Sequence, residues 1–151
     1  MALRIAQFLA VIFTALALVP AGAHLAALPG KIGLMRDQYF AVQGIYTGWA
    51  LFGIVQVGAI LSAAALAFVA RGSGMPFILS LAGCVLLIAA MILFFIFVFP
   101  ANQATSNWTQ MPDNWEQLRT QWEYVHALNA ILTFLALVAL TLAVVVDGRA
   151  S

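Results

Sequence analysis

Charged residues are scarce in this chain, because only 7% of its 151 residues are Asp, Glu, Lys or Arg. A soluble globular domain carries roughly 25% charged residues and uses them to cover its water-facing surface. A chain that is 65% hydrophobic and has so few charges cannot cover such a surface. We therefore expect lipid to be its main solvent.

Basic clusters and paired cysteines are missing as well. The formal net charge is only +1, which argues against a nucleic-acid partner, because such a partner needs clustered Lys and Arg to meet its phosphates. The single cysteine, Cys84, cannot form an intrachain disulfide and lies inside an apolar run. We interpret Cys84 as a small apolar residue of the interior.

The sequence does contain four long apolar runs. A transmembrane helix needs about 20 mostly apolar residues, and each run is that long. Backbone polar groups find no partner in hydrocarbon, so these runs should be helices, and the alternating pattern of a barrel strand is absent. We predict an all-α membrane protein, a single four-helix transmembrane bundle over residues 1–151, with spans at 4–27, 46–70, 75–99 and 123–146.

The first run also resembles a secretory signal peptide. Arg4 precedes the apolar stretch, and Pro20 is followed by the small residues 21–23, as at a cleavage site. Cleavage would remove residues 1–23 and leave three helices. We favour a retained first helix, because the apolar character continues beyond the site to Leu28.

The connections between the runs differ in length. Residues 71–74 form a short, Gly-containing link suited to a sharp reversal, whereas 28–45 and 100–122 are long. Four spans place both long connections on one side of the membrane and both termini on the other.

The distribution of charge bears on the orientation in the membrane. The basic residues divide evenly, with Arg4, Arg71 and Arg149 on the termini side and Lys31, Arg36 and Arg119 on the loop side. The positive-inside rule therefore gives no decisive answer. Four of the five acidic residues lie with the long connections, and we expect both termini to be cytoplasmic.

The third connection and the fourth helix carry a regular pattern. Pro100 is expected to end the third helix, because its ring cannot extend the preceding turn. From Trp115 onward, polar and aromatic residues recur at alternating steps of four and three, which puts them on one helical face. They are Trp115, Arg119, Trp122, His126, Asn129 and Thr133. We predict an interfacial extension at the start of helix four, beginning near Trp115.

Polar and aromatic side chains gather at the loop-side ends of all four helices. Polar residues inside a membrane are costly and usually face a bundle interior or a site. The set comprises His24 on the first helix, Tyr46 and Trp49 on the second, Asn102 after the third, and Arg119, Trp122, Glu123 and His126 on the fourth. We predict that they converge at one membrane depth.

Several of these residues have a simpler explanation. All four tryptophans fit a belt at the membrane interface, where Trp and Tyr concentrate whatever their function. Arg119 can pair with Glu116 or Glu123 on the helix surface. Asn129 is harder to explain in this way, because it lies deeper in the membrane on the same stripe as His126.

His24 and His126 are the only histidines in the chain. Imidazole ligates metals or haem iron, relays protons or donates hydrogen bonds. Glu123 and His126 have the spacing of a di-iron ligand pair, but a second such motif is missing. With His24 they would make a mononuclear metal site, and a bis-His haem is an equal alternative. We favour histidines that act without a cofactor, with an interhelical structural role as the alternative.

Two stretches of the chain resemble a known family. The first leads from Ala23-His24-Leu25 to Leu28-Pro29-Gly30-Lys31-Ile32, and the second from Phe99-Pro100-Ala101-Asn102 to Trp115, Arg119, Trp122, Glu123 and His126. Over nearly its whole length the chain is similar to the anthrone-oxygenase-like family, a set of small four-helix membrane proteins, mostly bacterial and mostly of unknown function. Members with a known role oxidise anthrones, which are tricyclic phenols, to anthraquinones with O2.

The resemblance implies a site for a flat aromatic or quinone-like substrate. It implies that a base such as His126 forms a carbanion that reacts with O2, and that Arg119 or the other histidine stabilises the oxyanion. Tryptophans would stack on the substrate rings. The candidate catalytic residues are His24, His126, Glu123 and Arg119. The candidate substrate-binding residues are Tyr46, Trp49, Asn102, Trp115, Trp122 and Asn129.

We therefore expect a small membrane oxidoreductase that acts at the loop-side interface. Two other functions stay open, because membership of a fold does not establish a reaction. One is a non-enzymatic membrane partner that packs against another protein. The other is a haem- or metal-binding electron carrier. The sequence specifies neither the substrate nor the oligomeric state.

Overall fold

A computed structural model describes residues 1–147, and Arg149, counted above among the charges of the termini side, lies outside them. These residues form helices and turns without a strand. The longer helices are α1 (Ala2–Lys31), α3 (Phe52–Val69), α4 (Met75–Leu93) and α6 (Trp115–Asp147). The short helices are α2 (Arg36–Gln43) and α5 (Phe99–Ala104), with 3-10 turns at Gly44–Tyr46 and Trp49–Leu51 and a π-helical turn at Phe94–Val98.

Four helical stretches are long and apolar enough to cross a membrane. They are Ala2–Lys31, Trp49–Val69, Met75–Ala104 and Trp115–Asp147. In the most apolar segment of each stretch, only 22% to 39% of the residues are buried inside the protein. Most of this apolar surface therefore faces outward. Such a surface requires lipid rather than water around it. The prediction of an all-α, four-helix membrane bundle is confirmed.

The four spanning stretches pack in a closed ring. α1 lies against α3 and α6, and α4 lies against the same two helices on the other side. The core of the ring is rich in alanine, which lets helix backbones approach closely in a membrane. Its buried alanines include Ala6, Ala10, Ala17, Ala59, Ala63 and Ala136.

The second span starts as a regular α-helix later than the predicted residue 46. Tyr46 lies in the first 3-10 turn and Trp49 in the second. Between them Gly48 has a φ of 85°, a left-handed conformation that interrupts a right-handed helix. The predicted short reversal at 71–74 is present, with positive φ angles at both of its glycines.

The expectation that Pro100 ends the third helix is wrong. The helical stretch continues to Ala104 as α5. Pro100 is the second residue of α5, which follows directly after the π-helical turn Phe94–Val98. The π-helical turn just before it shifts the hydrogen-bond register and gives the proline ring room.

Both long connections meet at one end of the bundle, which we call the loop-side end. α6 begins at Trp115, as the stripe of aromatic and polar residues predicts. Arg119 on α6 donates a hydrogen bond to the carbonyl of Leu34 at 2.7 Å, and the ring of Trp108 packs 5.2 Å from that of Tyr39. The first turns of α6 therefore dock against the connection that carries α2.

Close packing between α4 and α6 predicts the effect of a small substitution. A Cβ added at Gly83 would lie 2.7 Å from Leu140 Cγ, so we expect Gly83→Ala to destabilise the fold. Overpacking of this kind costs roughly 1–3 kcal/mol. The matched control is Gly53→Ala, because a Cβ at Gly53 meets nothing within 4 Å. Thermal unfolding in detergent should give a lower Tm for Gly83→Ala only, and equal Tm values would contradict this packing.

Candidate functional site

The two histidines lie against each other at the loop-side end of the bundle. The rings of His24 on α1 and His126 on α6 are stacked, with centroids 4.0 Å apart and planes inclined by 20°. His24 is buried, with 6% of its surface exposed. Residues from opposite ends of the chain thus form one imidazole pair, which we call the histidine pair.

Aromatic side chains surround the histidine pair. The ring of His24 lies 4.4 Å from Tyr46, 5.4 Å from Trp49 and 4.9 Å from Trp122. The ring of His126 lies 4.2 Å from Trp122. Tyr46 and Trp49 come from the 3-10 turns before α3 rather than from α3 itself. The irregular start of the second span therefore supplies one wall of this aromatic box.

A buried ion pair lies next to the histidine pair, closer to the loop-side end of the bundle. Lys31 Nζ is 2.9 Å from Glu123 Oε1, and the two residues are 4% and 1% exposed. The Tyr39 hydroxyl donates a hydrogen bond to the same carboxylate oxygen at 2.9 Å. Lys31 also donates to the Tyr46 hydroxyl oxygen at 2.7 Å. These four side chains form one hydrogen-bonded network, which we call the Lys31 network.

Helical geometry explains how the Lys31 network reaches the histidine pair. Lys31 follows His24 by seven residues, two turns on the same face and about 10 Å along the axis. Glu123 precedes His126 by three residues, just under one turn, or about 4.5 Å. The backbone of Lys31 is therefore farther from the histidine pair along the helix axis than that of Glu123, and the long side chain of Lys31 extends back to the level of Glu123. Its ammonium therefore lies over the ring of Trp122, 5.1 Å from the ring centroid.

Lys31 and Tyr39 are the two site residues that sequence reasoning does not select. Lys31 is the only lysine in the chain, and its heptad spacing from His24 is a signal that could have identified it. Tyr39 lies in a connection without helical periodicity, so no comparable pattern points to it. Both are buried in the structure.

Burial governs the protonation of Tyr39. Loss of solvent, together with the charge of Glu123 and the hydrogen bond to it, raises the pKa of the Tyr39 phenol well above its ordinary value of 10.0. The phenol therefore stays protonated at physiological pH and continues to donate to the carboxylate. Tyr39 in this way ties α2 to the ion pair.

Arg119 does not make the ion pairs expected from its spacing. The side-chain ion pairs found within 1–147 include none between Arg119 and either Glu116 or Glu123. Its guanidinium instead donates to the Leu34 carbonyl and lies 4.6 Å from the ring centroid of Trp115. These contacts hold the α1–α2 link in place, and they do not direct Arg119 to the histidine pair.

Asn102 orients two tryptophan rings. Its side-chain oxygen accepts hydrogen bonds from the indole N–H of Trp122 at 2.8 Å and of Trp108 at 3.2 Å. Asn102 reaches both because α5 extends beyond Pro100. Both indoles are buried, so an interfacial belt does not explain them. Asn102 thus fixes the ring that packs against His126.

Several buried polar atoms near the site have no hydrogen-bond partner among residues 1–147. They are His24 Nδ1, Glu123 Oε2, Asn129 Oδ1, Arg119 Nε and both amide atoms of Gln43. Buried polar groups are almost always paired with protein or ordered water. Two of these atoms, His24 Nδ1 and Glu123 Oε2, belong to the histidine pair and the Lys31 network, where each indicates a place for water or a polar group of a ligand.

The geometry does not fit the metal or haem alternatives. In the described part of the chain, no group of three or more His, Cys, Asp or Glu side chains could hold a metal ion. Glu123 directs Oε1 to Lys31 and Tyr39 instead of joining the histidines. A bis-His haem needs the iron between two imidazole nitrogens, whereas His24 and His126 stack face to face.

Comparison with known proteins leaves the family open. No family model, curated protein or solved structure matches the chain. Membership of the anthrone-oxygenase-like family therefore stays a hypothesis, and function must be inferred from the site.

The buried ion pair predicts a large effect of removing one partner. Lys31→Met leaves the Glu123 carboxylate buried without its cation, which typically costs about 3–5 kcal/mol. The double variant Lys31→Met/Glu123→Leu removes both charges and should recover most of that loss. Arg36→Met, which breaks an exposed pair, is the control and should change little. Equal unfolding free energies for the single and double variants in detergent would show that the charges do not interact.

The raised pKa of Tyr39 predicts a stability change at alkaline pH. In the unfolded chain the phenol ionises near pH 10.0, while in the fold it stays neutral, so its stabilising contribution is lost as pH rises above about 10. Tyr39→Phe should lower stability at pH 7 by about 1–3 kcal/mol, the cost of losing a buried bond to a charged group. This difference from wild type should shrink above pH 10.

The exposed Tyr124 provides the control for this pH dependence. Tyr124→Phe should change neither the stability at pH 7 nor its alkaline decline. If ultraviolet titration shows that Tyr39 ionises near pH 10 in the folded protein, its burial against Glu123 is incorrect.

Proposed function

We propose that the protein is a small membrane oxidoreductase of the anthrone-oxygenase type. It oxidises a flat, lipophilic aromatic substrate with O2 at the loop-side membrane interface. The observation that carries this proposal is the stacked histidine pair inside a box of aromatic rings. The resemblance of the sequence to that family gives the proposal its substrate class.

The surroundings of the histidine pair suit a substrate that arrives from the bilayer. Tyr46, Trp49 and His126 are only partly buried, so the aromatic box is not sealed. Leu51 and Ile54, which follow Trp49 at the start of the second span, are each 71% exposed, so apolar surface that meets lipid lies close to Trp49 in the chain. Aromatic walls bind flat rings through stacked and edge-to-face contacts.

The histidine pair supplies the base. Two imidazolium cations stacked at 4.0 Å would repel each other strongly in a membrane protein, so at most one of the two rings is a cation. The other is a neutral base within reach of a bound ligand. We assign this role to His126, which removes a proton from the methylene carbon of an anthrone. The negative charge spreads through the rings to the carbonyl oxygen.

The oxidation step balances with O2 as the oxidant. The carbanion forms a C–O bond to O2, and the peroxide anion takes the proton from the imidazolium to become a hydroperoxide. A second proton then leaves the same carbon, the O–O bond breaks and a carbonyl forms. The released hydroxide takes that proton and becomes water. One anthrone and one O2 thus yield one anthraquinone and one water.

The orientation in the membrane belongs to the same proposal. We place both termini in the cytoplasm of a bacterium, which puts the loop-side end and the site at the outer face of the inner membrane. Four of the five acidic residues lie at that end, which supports this orientation.

Turnover by protein reconstituted in lipid nanodiscs tests the proposal. With anthrone as substrate, O2 uptake and anthraquinone absorbance should appear together in equal amounts. His126→Ala should lower the rate by about 100-fold or more, the usual contribution of a general base. Gln7→Ala is the control, because Gln7 bonds to Asp147 at the opposite end of the bundle. Full activity in both His24→Ala and His126→Ala would overturn the assignment.

The same preparation distinguishes the other functions. Quenching of tryptophan fluorescence by anthrone or quinone analogues without O2 uptake would indicate binding without oxidation. A Soret band or stoichiometric metal would indicate an electron carrier. A colourless, metal-free protein that binds no member of a broad ligand panel would favour a non-enzymatic membrane partner.

A further inference from the structure

The Tyr46 hydroxyl occupies a special position beside the histidine pair. Its oxygen accepts a hydrogen bond from Lys31 Nζ at 2.7 Å, and its ring lies 4.4 Å from that of His24. Within 1–147 this hydroxyl donates no hydrogen bond of its own. A phenol whose oxygen is held by an ammonium group keeps its proton available for a further acceptor.

Lys31 is held firmly in this arrangement. Its ammonium bonds to Glu123 Oε1, lies 4.8 Å from the ring centroid of Tyr46 on the hydroxyl side, and lies over the ring of Trp122 at 5.1 Å from its centroid. Because the side chain is buried, the ammonium is not free to turn toward water. A charged donor bonded to the phenol oxygen polarises the O–H bond and makes Tyr46 a stronger donor.

We infer that Tyr46 donates this hydrogen bond to the substrate oxygen that becomes negative when the base removes its proton. Lys31 acts as the positioning residue for Tyr46. The inference rests on the proposed function and narrows its substrate class to aromatics with a carbonyl oxygen conjugated to an acidic C–H group. It gives the oxyanion-stabilising role to Tyr46 rather than Arg119.

The placement of Tyr46 and His126 supports this division of roles. Both rings contact His24, so the base and the donor flank the same imidazole. In an anthrone the methylene carbon and the carbonyl oxygen lie across one ring from each other. The inference assigns the methylene end to His126 and the carbonyl end to Tyr46, which is the path along which the charge moves.

In this scheme His126 is the only residue that takes up a proton. The proton that leaves the substrate carbon goes to His126, while the proton of Tyr46 stays on its own oxygen and is shared in a hydrogen bond. Neither Lys31 nor Glu123 changes its charge. Arg119 has no part in these steps, because its guanidinium donates to the Leu34 carbonyl.

Kinetics of Tyr46→Phe test the inference. Loss of one oxyanion donor lowers kcat by about 100-fold to 1,000-fold, so we expect a fall of that size with KM changed by less than about threefold. The double variant Lys31→Met/Glu123→Leu keeps the hydroxyl but removes its charged partner, and it should show a smaller fall in kcat. Tyr124→Phe is the matched control and should keep wild-type kinetics. An unchanged kcat in Tyr46→Phe overturns the inference.

A binding measurement separates this inference from the proposed function. A hydroxyanthraquinone changes its absorbance when its own hydroxyl ionises, and it can be titrated while bound to protein in nanodiscs. Wild type should ionise the bound probe at a lower pH than Tyr46→Phe does, because Tyr46 stabilises the anion. If anthrone is not oxidised but this difference is present, the proposed function fails and the Tyr46 donor stands.

The remaining outcomes count against the Tyr46 donor. Equal ionisation of the probe in wild type and Tyr46→Phe overturns it, even where anthrone is oxidised and the proposed function stands. Failure of the probe to bind wild type also overturns it, because the site then lacks an anion-stabilising group for this class of ligand.

Discussion

The ion pair between Lys31 and Glu123 determines how the loop-side end is assembled. A charge buried in a membrane protein is costly unless an opposite charge lies in contact with it. Lys31 is near the end of α1 and Glu123 near the start of α6, so their contact fixes how far the two helices are displaced along their axes relative to each other. This displacement places His24 beside His126. The imidazole pair therefore depends on a bond that involves neither histidine.

The two long connections cover Glu123 and Trp122. Tyr39 bonds to the Glu123 carboxylate from α2, and Arg119 holds the preceding link through the Leu34 carbonyl. On the other side, Asn102 fixes the indole of Trp122 against the histidine pair. These contacts cover the polar groups with aromatic rings, and the exclusion of water strengthens each electrostatic interaction within.

Local sequence patterns predict the four spans, the start of α6 at Trp115 and the convergence of the two histidines, since these depend on hydrophobic length and helical period. The partner of Lys31 is not predictable in this way, because lysines near helix ends usually extend into water. The continuation of the helix through Pro100 depends on a π-helical turn that leaves no clear sequence pattern. Arg119 shows the same limit, since its acceptor is a backbone carbonyl of a distant turn. The reaction stays a prediction that depends on the family resemblance.

Solid-state NMR can measure the contact between the imidazoles directly, because His24 and His126 are the only histidines in the chain. Protein labelled with 13C and 15N in histidine alone, diluted with unlabelled protein and placed in lipid bilayers, contains two labelled rings per molecule. With centroids 4.0 Å apart, the rings should give strong 13C–13C cross-peaks between the two residues. Spectra that contain only cross-peaks within each ring, even at long mixing times, would contradict the assembly of this site.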